Sequence, residues 1–432
     1  MVGVSGPARV GLLGCGNVGS ALARLIDEHA DVIAARAGVG IEIARVAVRD
    51  VKKSRDVRVP PDRFTGDPLD LVRDPDIDVI VEMMGGVDPA RELITEALKS
   101  GKSVVTANKE LIARHGPDLF ATAAASGVDL LFEASVAGGI PLMRPLRESL
   151  AGDRIRRVMG IVNGTTNFIL TRMSDDHMSF EDALADAQRL GYAEPDPSAD
   201  VQGDDAAAKA AIIATIAFGA RVNVDDVYRE GITSVSRDDI ESAAILGYAV
   251  KLLAVAEELE GGISVRVHPA MIPVHHPLAS VRDAFNAVFI EGEAVGELML
   301  YGRGAGGGPT ASALSGDLID AVKNRVSGAK GATIGELVER PIRAIDDSES
   351  QFYLLMEVAD RPGVLGAIAN EFGEHSVSIK SMEQRGMGED ARLVFVTHRA
   401  RESALRATLE ALRGVETVHR VGSVLRVLGD ED

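Results

Sequence analysis

Between Arg9 and about Glu133, short apolar or β-branched runs alternate with amphipathic stretches in the order ARVGLLG, SALARLIDEHA, IEIARVAVRD, IDVIVEMMG, ARELITEALKSG and KSVVTANK. That alternation predicts βαβ units on a parallel sheet. VDLLFEAS predicts one more strand before Pro141. From Pro141 to about Tyr301 the pattern changes to strands such as RIRRVMGIV and VRVHPAMIPV, with long alanine-rich helices expected over 203–219 and 238–260. This reads as a second, mixed α/β domain. The glycine-dense YGRGAGGGPTASAL then opens a helix running to about Arg325, and GAKGATIGELVERPIRAIDD reads as a linker. The remainder, Gln351 to Leu428, carries a βαββαβ pattern.

The bulk properties narrow the class. At 432 residues the chain is too long for a single core, and 46% hydrophobic with 26% charged residues is the balance of a folded globular protein. A formal charge of -19 repels nucleic acid and anionic lipid, so neither is expected as a partner. No apolar run reaches membrane-spanning length, since the run over 210–220 is short and the one over 243–256 is interrupted by Lys251. The N-terminal MVGVSGPARV lacks the apolar core of an export signal, and the single cysteine, Cys15, excludes an intrachain disulfide. A cytoplasmic location is expected.

Val10 to Gly19 reads VGLLGCGNVG, an apolar strand followed by Gly14, Gly16 and Gly19 in the spacing G-x-G-x-x-G, and then the helix SALARLI. The first glycine permits a tight turn, the second lets backbone approach a pyrophosphate, and the third lets the helix sit against the strand. Strand, glycines and helix together predict a Rossmann-type dinucleotide-binding domain over 1–135, completed by the helix at 309–325. Asn17 and Val18, inside the loop, and Thr106, at the end of SVVT, are further expected cofactor contacts. The second strand ends in Arg49 and Asp50, followed by Lys52 and Lys53. A cation there suits the 2'-phosphate of NADP and an acid suits the ribose diol of NAD, so NADP(H) is expected, with NAD(H) left open by Asp50.

Residues 191–209 read GYAEPDPSADVQGDDAAAK, which puts Glu194, Asp196, Asp200, Asp204 and Asp205 just ahead of Lys209. Asp205 and Lys209 share a helix face, and the helix beyond them is apolar nearly all round, as in a buried helix. The pair reads either as an i,i+4 ion pair or as a desolvated proton donor beside acids that hold a substrate ammonium group. Lys109 follows the strand SVVT, at a carboxyl end where open parallel sheets bind ligands. EASVAGGIPL offers Glu133 and a carbonyl-rich turn. Asn163 in NGTTNFIL reads as a helix cap or as part of a carboxylate site. The nine histidines show no zinc-ligand spacing.

GLLGCGNVG, VTANKE, EASVAGGIPL, GIVNGTTNFIL, GYAEPDPSADVQGDDAAAK and GRGAGGGPTASAL together resemble homoserine dehydrogenase in its long form with a C-terminal ACT domain. The resemblance implies a substrate-binding and dimerisation domain over 136–308, a linker over 326–350 and a ferredoxin-like ACT regulatory domain over 351–428. It implies Lys209 as proton donor and Lys109 as a contact to cofactor and substrate. Glu194, Asp205, Asp200, Tyr192 and Thr165 would bind substrate, and Gly306 would approach the nicotinamide. Glu133 with the carbonyls of Val136, Gly138 and Ile140 would hold a monovalent cation, Na+ or K+. The implied reaction interconverts L-aspartate 4-semialdehyde and L-homoserine. DRPGVLGAIAN implies feedback control by L-threonine, and a homodimer or homotetramer is expected.

Overall fold

The N-terminal alternation folds into a six-stranded parallel sheet built from β1 (Ala8–Leu13), β2 (Ile41–Ala47), β3 (Phe64–Thr65), β4 (Val79–Glu82), β5 (Ser103–Thr106) and β6 (Leu130–Leu131), in the order β3-β2-β1-β4-β5-β6. The order reverses between β1 and β4, so a crevice opens at their carboxyl ends. The helices α1 (Asn17–Glu28), α2 (Ala30–Ala37), α3 (Pro68–Arg73), α4 (Ala90–Lys99) and α5 (Lys109–Ser126) make the crossovers. In this computed structural model residues 6–329, 331, 334–388 and 391–428 are described. The start of the N-terminal segment, and Lys330, Ala332 and Thr333 of the expected linker, lie outside the described residues.

By compactness the chain divides into two units. The first holds Met1–Val158, Ala208–Asp225 and Asn286–Arg340, and the second Met159–Ala207, Asp226–Phe285 and Pro341–Asp432. In the first unit, α11 (Gly307–Ser327) returns from far along the sequence and buries Leu314, Leu318 and Val322 in one core with Val10, Leu12 and Leu22. Beside this lie β7 (Ile155–Ile161), β11 (Phe285–Gly292) and β12 (Gly296–Arg303), in the order β12-β11-β7. The helix α9 (Asp204–Phe218) passes from the second unit into the first after Ala207.

The second unit contains α6 (Gly164–Asp175), α7 (Phe180–Arg189), α8 (Ser198–Val201), the short β8 (Tyr228–Arg229) and α10 (Arg237–Ile245). It corrects one expectation. The helix expected over 238–260 ends at Ile245, and after Gly247 (φ 83°) the chain becomes β9 (Tyr248–Leu259), which pairs along its whole length with β10 (Gly262–Pro273). Residues Val250 to Ala256 are all buried, and a strand covered on both faces is a continuous apolar run with no period of its own.

The C-terminal pattern becomes β13 (Glu349–Val358), α12 (Val364–Glu374), β14 (Ile379–Arg385), β15 (Arg392–Thr397), the two-residue β16 (Ala400–Arg401), α13 (Glu402–Arg413) and β17 (Val418–Val427). Its strand order, β17-β13-β15-β14, is that of a ferredoxin-like sheet, with Phe352, Phe372 and Phe395 in the core. The strand β17 also runs parallel to β10, pairing Ala270 with Arg426 and Met271 with Val427, so this sheet continues into the β9-β10 hairpin.

Candidate active site

The crevice of the first unit is built by the glycine loop. Gly14 has φ 102°, and its N-H donates to the Ala47 carbonyl at 3.0 Å. A side chain at Gly19 would begin 2.7 Å from the Gly14 carbonyl oxygen, so only glycine lets α1 start this close to β1. No side chain caps the first turn of α1, which leaves amide donors and the positive helix end facing the crevice. A cavity of about 660 Å³ runs along this loop, with Gly14, Cys15 and Gly16 on one side and Arg49, Asp50, Lys53 and Arg55 on another. Lys52, grouped with these cations in the sequence, is not one of its walls.

Arg55 escaped the sequence reading because it lies beyond the obvious Arg49 to Lys53 cluster. Its guanidinium donates to the carbonyls of Cys15 (3.2 Å), Lys53 (2.7 Å) and Asp50 (2.9 Å) and stacks over Phe64 at 5.3 Å. It thereby ties the turn after β2 to the glycine loop. The Asp50 carboxylate accepts the Lys52 amide at 2.9 Å, so it too shapes that turn.

A second cavity, of about 290 Å³, shares Met83, Met84 and Gly85 with the first and is lined by Lys109 and Lys209. Lys109 is the first residue of α5, whose start is fixed by the Asn108 side chain accepting from the Leu111 amide at 3.1 Å. Lys209 is 8% exposed, as the all-round apolar pattern of its helix predicts. Val18, Ala137, Gly138 and Thr310 complete parts of this wall. Gly306, at φ 111°, is the N-cap of α11, and Gly307 packs against the Asn17 carbonyl of α1. Thr106 is buried and turns its hydroxyl toward Glu82 at 2.6 Å rather than into either cavity.

Glu133 is buried, and its carboxylate accepts the backbone N-H groups of Leu142, Met143 (2.9 Å) and Arg144 (2.8 Å). The Asp317 carboxylate accepts the Glu133 amide at 2.8 Å and an Arg144 guanidinium N-H at 2.8 Å; burial first, and then the nearby Glu133 charge, push the Asp317 carboxyl up to about 7. Among the described residues, the carbonyls of Val136, Gly138 and Ile140 accept no hydrogen bond, and no cluster of three His, Cys, Asp or Glu side chains could hold a metal ion. This donor chemistry, mostly neutral oxygens, fits a monovalent cation better than zinc.

In the second unit the Asn163 amide donates to Asp200 at 2.6 Å and to Asp205 at 2.9 Å, while its carbonyl caps α6 by accepting the Thr166 amide at 2.9 Å. Asp200 and Asp205 are therefore held together by Asn163, which also performs the capping the sequence suggested. Thr165 donates to the Tyr192 carbonyl at 2.7 Å, and the Tyr192 ring lies 4.9 Å from that of Phe168. Glu194 sits apart from this cluster, exposed, with its carbonyl accepting from Gln188.

Comparison with known proteins gives this geometry a lineage. Residues 14–133 match a family model described as "Homoserine dehydrogenase, NAD binding domain", residues 141–319 one described as "Homoserine dehydrogenase", and residues 352–417 one described as "ACT domain". The chain is 48% identical over 426 residues to a homoserine dehydrogenase of Corynebacterium glutamicum, covering 98% of this chain and 96% of that one. The chain belongs to the homoserine dehydrogenase family. It is an NAD(P)-dependent oxidoreductase of that family, with a C-terminal ACT domain. A solved homoserine dehydrogenase from Thiobacillus denitrificans superposes with a TM-score of 0.93 at 41% identity, covering 98% of both chains. A hyperthermophilic archaeal homoserine dehydrogenase solved in complex with NADPH superposes with a TM-score of 0.63 at 30% identity, covering 73% of this chain and 97% of the other. Among the described residues, no helix is long and apolar enough to cross a membrane.

Proposed function

We propose that this chain reversibly reduces L-aspartate 4-semialdehyde to L-homoserine, with NADP(H) preferred and NAD(H) accepted, in the cytoplasmic route to threonine, methionine and isoleucine. The observation that carries the reading is the pair Lys109 and Lys209 on one small cavity, which shares Met83, Met84 and Gly85 with the glycine-loop cavity. The glycine loop, the uncapped start of α1 and the cations Arg49 and Lys53 fit a dinucleotide.

When bound, the reduced nicotinamide supplies the hydride to the aldehyde carbon. Lys209 gives its ammonium proton to the carbonyl oxygen as the C=O π pair moves onto it, which yields the alcohol. Lys109 holds that oxygen and the ring in register. Asp205 and Asp200, with Glu194, Tyr192 and Thr165, are assigned to the amino-acid end of the substrate. Asp205 stands one helical turn before Lys209 on α9. Glu133 with the carbonyls of Val136, Gly138 and Ile140 is assigned a monovalent cation, Na+ or K+, which would steady the 136–144 turn. The ACT domain is assigned threonine binding and feedback inhibition, and the assembly is a homodimer or homotetramer, to be read by sedimentation.

The test is homoserine oxidation followed by absorbance with NADP and NAD side by side. Lys209→Ala is expected to keep dinucleotide affinity and lose roughly a hundredfold or more in kcat, the share of a general acid. Near-normal turnover in that variant would overturn the assignment.

A further inference from the structure

We propose that Glu82 is a positioning residue for the lysine-lined cavity: its buried carboxylate ties the loop after β4 to the turn after β5 and thereby fixes the backbone that carries Lys109. The proposal deepens the reading above and rests on it. Glu82 is the last residue of β4, at the point where the strand order reverses, and it is 0% exposed. It lines neither cavity itself; what it grips lines both.

One carboxylate oxygen, Oε1, accepts the backbone N-H groups of Met84 at 2.7 Å and Gly85 at 3.2 Å. These are two of the three residues that the two cavities share, the third being Met83. The other, Oε2, accepts the Thr106 hydroxyl at 2.6 Å. That hydroxyl in turn accepts the Asn108 N-H at 3.0 Å, so its own proton is committed to Glu82. The Asn108 amide points at Glu82 Oε1 at 3.5 Å and donates to the Gly86 carbonyl at 2.7 Å, while its oxygen caps α5 just where Lys109 begins. The Glu82 carbonyl accepts the Ala107 amide at 3.1 Å. Burial pushes this carboxyl up and the four donors oppose that shift.

Every partner named here is a donor to the side chain, so an acceptor with two oxygens is the group the site is built around. A hydrophobic residue would fill the space yet leave a buried hydroxyl and two partly buried amides without this acceptor. A neutral amide of the same shape would turn a donor toward another donor. Either change lets the Met84–Gly86 loop and the Thr106–Lys109 turn move independently. A displacement of about 1 Å in a group that must meet a reacting atom costs on the order of a hundredfold in rate.

The experiment compares Glu82→Gln, Glu82→Asp, Thr106→Val and the double variant Glu82→Gln/Thr106→Val in the full-length protein. It reads kcat and KM for homoserine, dinucleotide Kd from the fluorescence of bound NADPH, and Tm. Wild-type turnover of homoserine tests the functional reading, whereas the variant-to-wild-type ratios test the role of Glu82. Glu82→Gln is expected to lose at least about tenfold in kcat with dinucleotide Kd changed less than about threefold, because of the walls of the dinucleotide cavity only Met84 and Gly85 are loosened while the glycine loop and the Arg49–Arg55 turn are untouched. Glu82→Asp should recover part of the loss, and Thr106→Val should cost less in the Glu82→Gln background than in wild type. If Glu82→Gln fails to fold, Thr106→Val alone must show the same split between kcat and Kd. A kcat within about twofold of wild type in Glu82→Gln, or kcat and Tm falling together while Kd rises to match, would overturn the proposal.

Discussion

Arg49 and Arg55 both line the glycine-loop cavity, yet they do different work. Arg49 is exposed just beyond β2, the place from which dinucleotide folds read the 2' position of the adenosine ribose. Arg55 spends its N-H groups on the carbonyls of Cys15, Asp50 and Lys53. Arg49→Ala is therefore expected to weaken NADP binding about tenfold while changing NAD affinity less than twofold, since one charge-assisted bond to phosphate is lost. Arg55→Ala should weaken both cofactors alike by loosening the turn that presents Arg49. Fluorescence titration of the two variants with NADPH and NADH separates these outcomes, and equal losses in both variants would show that Arg49 does not read the phosphate. Arg49 was visible in the sequence because a strand end announces that position. Arg55 and Glu82 were not, because the partners that give them their role, the Cys15 carbonyl and the Thr106 hydroxyl, are brought close only by the fold of the sheet.

At the scale of elements, whatever had a period could be read from spacing. The βαβ alternation, the all-round apolar α9 that buries Lys209 and the C-terminal βαββαβ pattern were all legible from spacing. The strand β9 was not, because YAVKLLAVAEEL reads equally as a buried helix, and only its pairing with β10 decides the matter. The same strand carries Lys251, whose ammonium donates to the Asn167 side-chain carbonyl at 3.0 Å and to the Val281 carbonyl, holding the 281–285 segment to α6. Burial, helped by the neighbouring Arg282 and opposed by Asp175 and Asp283, lowers its pKa to about 8. Between pH 8 and the ordinary lysine value the unfolded chain binds a proton that the folded chain does not, so stability rises with pH across that window. Lys251→Met is expected to abolish this contribution, which amounts to roughly 3 kcal/mol. Urea midpoints of both proteins from pH 7 to pH 10.5 measure it, and parallel profiles would refute it.

At the scale of the whole chain, the second unit shows how the ACT domain is joined to the segment that carries the acids. Arg426, on the last strand β17, is buried and forks onto two carboxylates, Glu402 of α13 at 2.6 and 3.0 Å and Glu230 beyond β8 at 2.9 and 3.0 Å. Glu230 is fixed in turn, because its amide donates to the Val267 carbonyl at 2.8 Å and the amide of Ile232 donates to the Val201 carbonyl at 2.8 Å. Val201 immediately follows Asp200, so one chain of bonds runs from the ACT sheet to the acid that Asn163 holds beside Asp205. A charge in this position is poor evidence for stability by itself, since burying it costs about what the pairing returns. Its removal is another matter. Arg426→Met leaves the buried carboxylate of Glu402 facing the half-buried one of Glu230 and is expected to destabilise the protein by about 3 kcal/mol, with Glu230→Gln and Glu402→Gln restoring much of that in the triple variant. If the ACT domain binds threonine, as proposed above, and acts on the substrate end along this route, the restored triple variant should bind threonine by calorimetry with unchanged affinity while threonine, inhibitory in the wild type, no longer alters the homoserine KM. A triple variant that keeps full inhibition would refute this route and turn attention to the ion pair of Arg392 with Asp238 and the bond of Arg385 to Ser242, which also join the ACT strands to α10.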